Sequence, residues 1–260
     1  MVTAILLLAL TACRSDTLNL AYRFTQGTVL KYSMHAAAVA SWNIGGTGQG
    51  SYDVTFEVVE AVQSVEDDGA IVAVSMSPES SESHGLPAPG PDARSFTLKV
   101  GHNGEVREVI EVDGVSAEDL DPNDVAFIGT YRPPLPLEPV PLQASWTSRQ
   151  QVQVGSVLQE LATLGTLTAL DRDAEGTTAT MVYRGEGPVS WRASLPQGDA
   201  ELSGTAATSS DAVLDVNGGF LRSAGSTTNG NFDVEVLGEN GGAPVRGTLH
   251  LELHLDLEKV

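Results

Sequence analysis

The sequence has one cysteine, few basic residues, few aromatic residues and no long hydrophobic run. Cys13 is the only cysteine among 260 residues, so the chain cannot form an internal disulfide. Lys and Arg number 14 against 34 Asp and Glu, and the resulting formal net charge of −20 argues against a nucleic-acid partner because it repels phosphate. The apolar stretch at residues 4–10 is too short for a transmembrane helix, which takes about 20 apolar residues. With 41% hydrophobic residues, the chain can still bury a sizeable core.

The first thirteen residues follow the pattern of a cleaved signal. Uncharged apolar residues lead into Leu10-Thr11-Ala12-Cys13, which resembles the lipobox of bacterial lipoproteins. The resemblance implies a signal peptide at 1–12 and a lipidated tether at 13–17, in which acyl chains on Cys13 (palmitate among them) anchor the protein to a membrane of the cell envelope, with its body outside the cytoplasm. A signal peptide normally has a Lys or Arg before its apolar run, and this sequence has none there. The alternative interpretation of residues 1–13 is a buried N-terminal strand or helix.

Alternating apolar residues between glycine and asparagine turns predict a mainly β protein. The clearest strand closes the chain, where five leucines alternate with polar residues from 249 to 258 and predict one buried and one wet face. We expect a large antiparallel curved sheet, either a half-barrel or a sandwich, built from two similar halves at 18–130 and 144–260 that form one structural domain. A Pro-rich linker at 131–143 separates them, and whether they arose by duplication stays open.

Two segments break this pattern. Residues 77–93 (SPESSESHGLPAPGPDA) are polar, rich in proline and without periodicity, which predicts an exposed loop. Ser116 is a suitable N-cap for one short acidic helical segment near 116–130.

No constellation of residues indicates catalysis. His250, Glu252 and His254 would share one face of the last strand, but neighbours on that face lie about 6.6 Å apart and do not easily converge on one ion. We therefore interpret them as a solvated face and predict no metal site and no cofactor. No serine lies in a Gly-x-Ser-x-Gly motif, and Gly45 to Gly50 lacks the lysine of a phosphate-binding loop. The chain is thus predicted not to be an enzyme, and its three tryptophans are read as core or sheet-edge packing.

Two short patterns resemble a family of uncharacterised bacterial lipoproteins. Phe24, Gly27 and Tyr32 match a Tyr/Phe-x-x-Gly-x-x-x-x-Tyr element, while Pro139-Val140 and Trp146 match Pro-Val-x-x-Gly-x-x-Trp. Gln143 and Ala144 depart from the Gly-Asp usual in the second element. At the level of fold, the chain is similar to the curved half-barrel sheets of periplasmic lipoprotein and lipid carriers.

These patterns lead to two hypotheses about function. The first is a membrane-anchored, non-catalytic envelope lipoprotein whose curved sheet binds an apolar ligand or lipid beneath a lid at residues 116–130. The alternative is a structural or protein-interaction module that meets another envelope protein. The Pro-rich segment and the acidic surface would then form the contact.

Overall fold

The computed structural model describes residues 17–86, 93–119, 132–154, 157–174, 176–195, 198–237 and 244–260. Over these ranges the chain is made almost entirely of strands, with one 3-10 turn at Ala117–Asp119. In chain order the strands are β1 (Thr17–Leu18), β2 (Val29–Ile44), β3 (Thr47–Glu66), β4 (Gly69–His84), β5 (Arg94–Gly101), β6 (Val106–Val112), β7 (Val115–Ser116), β8 (Val140–Pro141), β9 (Ser145–Val154), β10 (Val157–Asp173), β11 (Gly176–Leu195), β12 (Gly198–Asp215), β13 (Phe220–Val236) and β14 (Val245–Lys259).

Twelve of these strands form one antiparallel sheet. Its order is β7-β6-β5-β4-β3-β2-β14-β13-β12-β11-β10-β9, so the last strand of the chain joins the two halves by pairing with β2. Each half is a meander of consecutive hairpins that runs outward from this central pair. The prediction of a large antiparallel curved sheet is confirmed, and among the described residues it is a single sheet with β7 and β9 as its outermost strands rather than a two-sheet sandwich. Strands β1 and β8 form a separate two-stranded pair.

The inner face of the sheet carries the core. Val58 of β3 and Met181 of β11, from opposite halves, belong to one buried cluster because the sheet curves round its own apolar face. The alternating leucines of β14 lie on this inner face as predicted, although only Leu251 and Leu257 are fully buried. Two residues outside the large sheet also belong to this cluster: Leu20, between β1 and β2, and Leu135, in the Pro-rich segment.

The predicted loop at 77–93 is wrong in its first half. Residues 77–84 continue β4 and pair with β3, from Ser77 opposite Glu57 to Ser83 opposite Tyr52. Proline is tolerated at position 78 of β4 for two reasons. A register shift in the pairing with β3 lies beside it, and β5 pairs with β4 only as far as Met76, so beyond that residue β4 has no hydrogen bonds to β5. Exposed polar residues are compatible with a strand here because no described element covers them. Residues 87–92 lie outside the described residues.

The predicted helical segment near 116–130 is represented only by the 3-10 turn Ala117–Asp119. Ser116, the expected N-cap, belongs to β7 and pairs with Glu111 instead. Residues 120–131 lie outside the described residues, so the lid predicted there is not described. None of the described segments is a helix with the length and hydropathy needed to cross a membrane.

The Pro-rich segment, predicted as a linker between the halves, is partly buried. Residues 132–136 are buried and Leu135 belongs to the main core cluster, whereas 137–139 are exposed. The segment leaves the interior near the β5–β6 turn and ends at β8, one short turn before β9. It therefore crosses between the two outer regions of the curved sheet.

Candidate functional site: a groove at the sheet edge

A groove of about 640 Å³ lies along the free edge of β9. One wall is β9 itself, from Ser145 to Arg149, and the facing wall is the β5–β6 turn at residues 103–106. The Pro-rich segment at 134–140 lines it between these walls. We call this feature the edge groove, because it lies where β9, the outermost strand on one side of the sheet, approaches the β5–β6 hairpin near the other side.

One backbone and one side-chain hydrogen bond hold the Pro-rich segment against both walls. Leu135 N–H donates to the carbonyl oxygen of Asn103 at 2.9 Å, which fixes the segment to the β5–β6 turn. On the other side, the indole Nε1–H of Trp146 donates to the carbonyl oxygen of Pro134 at 3.3 Å. Because proline has no N–H and restricts its own φ, a run of prolines supplies such carbonyl acceptors from a stiff, extended chain. The geometry of the groove is therefore built into the local sequence.

A buried ion pair fixes the start of this segment inside the sheet. The guanidinium of Arg132 contacts the Glu60 carboxylate of β3 at 2.5 and 3.1 Å, and both side chains are at most 6% exposed. The guanidinium carbon also lies 5.6 Å from the ring centre of Tyr22, whose hydroxyl donates to the carbonyl oxygen of Pro133 at 3.1 Å. The Glu60 carboxylate and the ring and hydroxyl of Tyr22 therefore all contact residues 132 and 133 and hold the start of the segment in place.

Trp146 forms the apolar part of the β9 wall. Its indole lies over Gly165, its cross-strand partner on β10, where a Cβ atom would come within 2.6 Å of the ring. The indole also meets Tyr183 edge-on, with ring centres 5.8 Å apart. Trp42 covers Gly48 across β2 and β3 in the same way in the first half of the chain. These contacts make the wall a rigid apolar surface that remains half-exposed to the groove.

The rim of the edge groove is acidic. Glu105, Glu138 and Glu160 line it and are exposed, with Arg149 as the exposed cation that pairs with Glu160 at 3.3 Å. Three acidic groups against one basic group leave this rim with a net charge of −2, in keeping with the charge of the whole chain. Arg132 also lines the groove, but its charge is matched by Glu60.

Two other hollows have a different character. One, of about 650 Å³, is lined by side chains of β11 to β14, among them the exposed Arg192, Glu201 and Asp233. The other, of about 560 Å³, is lined by residues of β2, β3 and β12 to β14, including Trp42 and Phe232, and is the more open to solvent. Arg192 pairs with Glu201 at 2.6 Å, and both side chains are at least 50% exposed. Such a solvated cross-strand pair is ordinary sheet surface, so the larger of these two hollows offers no defined binding chemistry.

The predicted site residues are distributed as follows. Cys13, the expected lipid anchor, and the signal segment lie outside the described residues. On β14, His254 Nε2 lies 2.9 Å from Glu252 Oε1, whereas the ring of His250 hydrogen-bonds to Asn231 on the next strand. Within the described ranges, no group of three metal-binding side chains comes together.

The strongest electrostatic perturbations belong to buried tyrosines. Burial raises the pKa of Tyr22, Tyr32 and Tyr183 above the ordinary value of 10.0. Tyr183 donates its hydroxyl hydrogen to the sulfur of Met181 at 3.4 Å, deep in the core. These phenols stay neutral at physiological pH, so they serve as packing and hydrogen-bonding groups.

Sequence reasoning missed the edge groove because it read residues 131–143 as a linker. The available signal was the arginine that opens the run RPPLPL, since a charged residue followed by apolar residues and prolines suits a segment that enters a core with a charge partner. The partner, Glu60, lies 72 residues earlier in a strand and could not be identified from spacing.

The described residues define an all-β protein with a curved sheet and a groove beside its β9 edge. The sequence matches no protein-family model and none of the curated proteins. Among solved structures, it is similar to lipovitellin in a structure of lipid–protein interactions, at 12% identity and a TM-score of 0.49, over 92% of this chain and 25% of that one. A β-barrel of the InvG secretin domain from the Salmonella SPI-1 injectisome shows 12% identity and a TM-score of 0.17, over 90% of this chain and 63% of that one. This chain thus spans about a quarter of the lipovitellin chain, and neither likeness assigns it a function.

Proposed function

We propose that the protein is a non-catalytic, lipid-anchored binding protein of the bacterial cell envelope that binds a ligand with apolar surface in the edge groove. The observation that carries the binding role is the groove itself, which combines about 640 Å³ of space with apolar lining residues from all three of its sides, Trp146, Leu135 and Val106. Ligand sites are typically concave, of about 300–1,000 Å³, and lined mainly by apolar and aromatic side chains. The groove has such a volume, and its lining combines apolar residues with polar and charged ones.

The position of the groove agrees with a membrane anchor. Strand β1 begins at Thr17, four residues after Cys13, and pairs with Pro141 of β8 beside the Pro-rich wall. Four extended residues reach at most about 14 Å. A lipid on Cys13 would therefore hold the body with this end close to the membrane surface, where apolar ligands and envelope proteins are both accessible.

The inner face of the sheet supports an apolar ligand less well than the groove does. Side chains such as Met34, Phe56 and Met181 fill it with exposures of 0 to 4%. A ligand there would have to displace packed core atoms, whereas the edge groove has room for one. We therefore place the ligand between β9 and the Pro-rich segment.

The anchor is tested by exchanging Cys13 for serine. We expect the Cys13→Ser variant to lose its acyl mass and to leave the membrane fraction, while the matched Ser15→Ala variant keeps both. Mass spectrometry of the N-terminal peptide and cell fractionation provide the measurement. Unchanged membrane association of Cys13→Ser would contradict the anchor.

The binding role is tested with a neutral apolar probe, N-phenyl-1-naphthylamine, because an anionic probe would be repelled by the acidic protein. Val106 lines the groove, so Val106→Phe should fill it and weaken probe binding about tenfold or more, a loss of about 1.4 kcal/mol. Val39, which is 53% exposed on the outer face of β2, provides the control variant Val39→Phe. Equal probe affinity for both variants would place the site elsewhere.

A further inference from the structure

We propose that the natural occupant of the edge groove is an extended, basic peptide segment of another polypeptide, which adds to the sheet as a strand beside β9. This inference rests on the proposed function, because it names the class of ligand that the groove binds. It depends on three features of the groove: the hydrogen-bonding groups of β9, the space available and the charge of the rim.

The alternation of backbone hydrogen bonds shows which groups of β9 face the groove. Leu167 N–H donates to the carbonyl oxygen of Ala144, immediately before β9. In an antiparallel ladder, every second residue exchanges hydrogen bonds with the neighbouring strand. Trp146 and Ser148 therefore bond to β10, and the N–H and C=O groups of Ser145, Thr147 and Arg149 point to the other side.

These outward groups form an unblocked edge. In the described part of the chain, β9 pairs with β10 and with no other strand. Residues 145–149 contain no proline, and their one charged residue, Arg149, alternates with Trp146 and so lies on the outer face. Natural sheets usually protect an edge with proline, inward-pointing charges or a covering element. Here the Pro-rich segment lies across the groove from β9 and does not pair with it as a strand, so the edge retains room for another extended chain.

The groove has the dimensions of a short strand. A strand residue rises about 3.3 Å, lies about 4.8 Å from its neighbour and occupies a layer about 10 Å thick, which gives about 160 Å³ per residue. The volume of 640 Å³ therefore holds about four strand residues. Residues 145–149 of β9 offer a matching length of edge.

Side-chain chemistry defines the peptide further. One side of an added strand would meet the apolar lining residues Val106, Leu135 and Trp146. Its other side and its ends would meet the acidic rim, which carries a net charge of −2 on a chain of net charge −20. Because successive strand residues alternate in direction, the matching peptide has apolar residues at alternate positions and Lys or Arg at its ends.

The test uses the full-length mature protein and heptapeptides of the form Lys-Φ-Thr-Φ-Thr-Φ-Lys, where Φ is Val, Leu or Phe in every combination. Calorimetry measures affinity, and hydrogen exchange followed by NMR measures protection of single amides. We expect the best peptide to slow exchange at Thr147 and Arg149, whereas Trp146 N–H, already bonded to β10, should not change. N-methylation of that peptide should weaken binding at least about tenfold, since the lost backbone hydrogen bonds contribute about 0.5–1.5 kcal/mol each.

A matched pair of protein variants separates backbone pairing from side-chain contact. Thr147→Pro removes the outward N–H at a position where an edge strand tolerates proline, while Thr147→Val keeps it. We expect Thr147→Pro to lose peptide binding at least about tenfold relative to Thr147→Val. The two variants should give the same circular dichroism spectrum, which shows that the sheet is intact in both.

Several results would overturn the inference. No strand pairing occurs if the N-methylated peptide binds as tightly as the unmethylated one, or if Thr147→Pro binds the peptide as tightly as Thr147→Val. Probe binding without any peptide binding would make the occupant a small apolar molecule, which leaves the proposed function intact. If neither binds, both proposals fail. Protection of Thr147 and Arg149 amides in the free protein would show that another part of this chain already occupies the edge.

Discussion

Neutralising Glu60 should destabilise the protein strongly, because the Glu60 carboxylate faces the buried Arg132 guanidinium. The two groups lie 2.5 Å apart with side-chain exposures of 4 and 6%, so water cannot replace the lost charge. Removing one partner of a buried ion pair typically costs about 3–5 kcal/mol. For a protein of this size, we therefore expect Glu60→Gln to lower the melting temperature by about 6–20 °C.

The assay is urea unfolding monitored by circular dichroism, with Arg132→Met and the double variant Glu60→Leu/Arg132→Met measured alongside. The double variant replaces both charges by apolar groups, so it should cost several kcal/mol less than the sum of its singles. Glu160→Gln, which breaks the exposed pair with Arg149, is the control and should cost less than about 1 kcal/mol. Additive single effects below about 1 kcal/mol each would refute the view that this pair fixes the Pro-rich segment.

Three further predictions concern single substitutions. Gly165→Ala should cost about 1–3 kcal/mol and weaken probe binding, because its Cβ would meet the Trp146 ring; unchanged calorimetric stability would contradict the close contact. Ser210→Ala should raise the free energy of unfolding by about 1 kcal/mol, since the buried Ser210 hydroxyl has no hydrogen-bond partner among the described residues; a clear loss in urea unfolding would show a hidden partner. Burial alone would raise the pKa of Asp215, but hydrogen bonds from the backbone and from Arg222 outweigh it and hold the pKa below 3.8. The stabilisation by this carboxylate is therefore present above pH 3.8 and is lost as the pH falls through the lowered pKa. Asp215→Asn should lower the free energy of unfolding by about 1.5–3 kcal/mol at pH 7 and by less in acid. A cost that does not change with pH would contradict this linkage.

The sheet was predictable from sequence because its signals are local. Strict alternation over residues 249–258 placed the β14 leucines on one face, and glycine turns located the hairpins. The pairing of β14 with β2, which unites the halves, depends on contacts more than 200 residues apart in sequence and has no local signal.

Two features that the sequence did not indicate depend on tertiary context. Residues 77–84 carry the composition of a loop but extend β4, since the backbone of β3 offers hydrogen bonds regardless of side-chain polarity. Residues 132–136 have the composition of a linker but are buried, because Glu60 compensates the charge of Arg132 and prolines have no N–H to leave unsatisfied. The edge groove exists only through that burial, which explains why the sequence alone did not reveal it.

The central claim, that the edge groove is the binding site, is tested most directly by contact quenching of Trp146. Replacing Trp42 and Trp191 by Phe leaves Trp146 as the one indole of the protein, and bromodecanol, a neutral apolar molecule, quenches an indole only where its bromine touches the ring. We predict saturable quenching of Trp146 fluorescence that Val106→Phe weakens. Saturable binding of bromodecanol with Trp146 fluorescence unchanged would contradict the account.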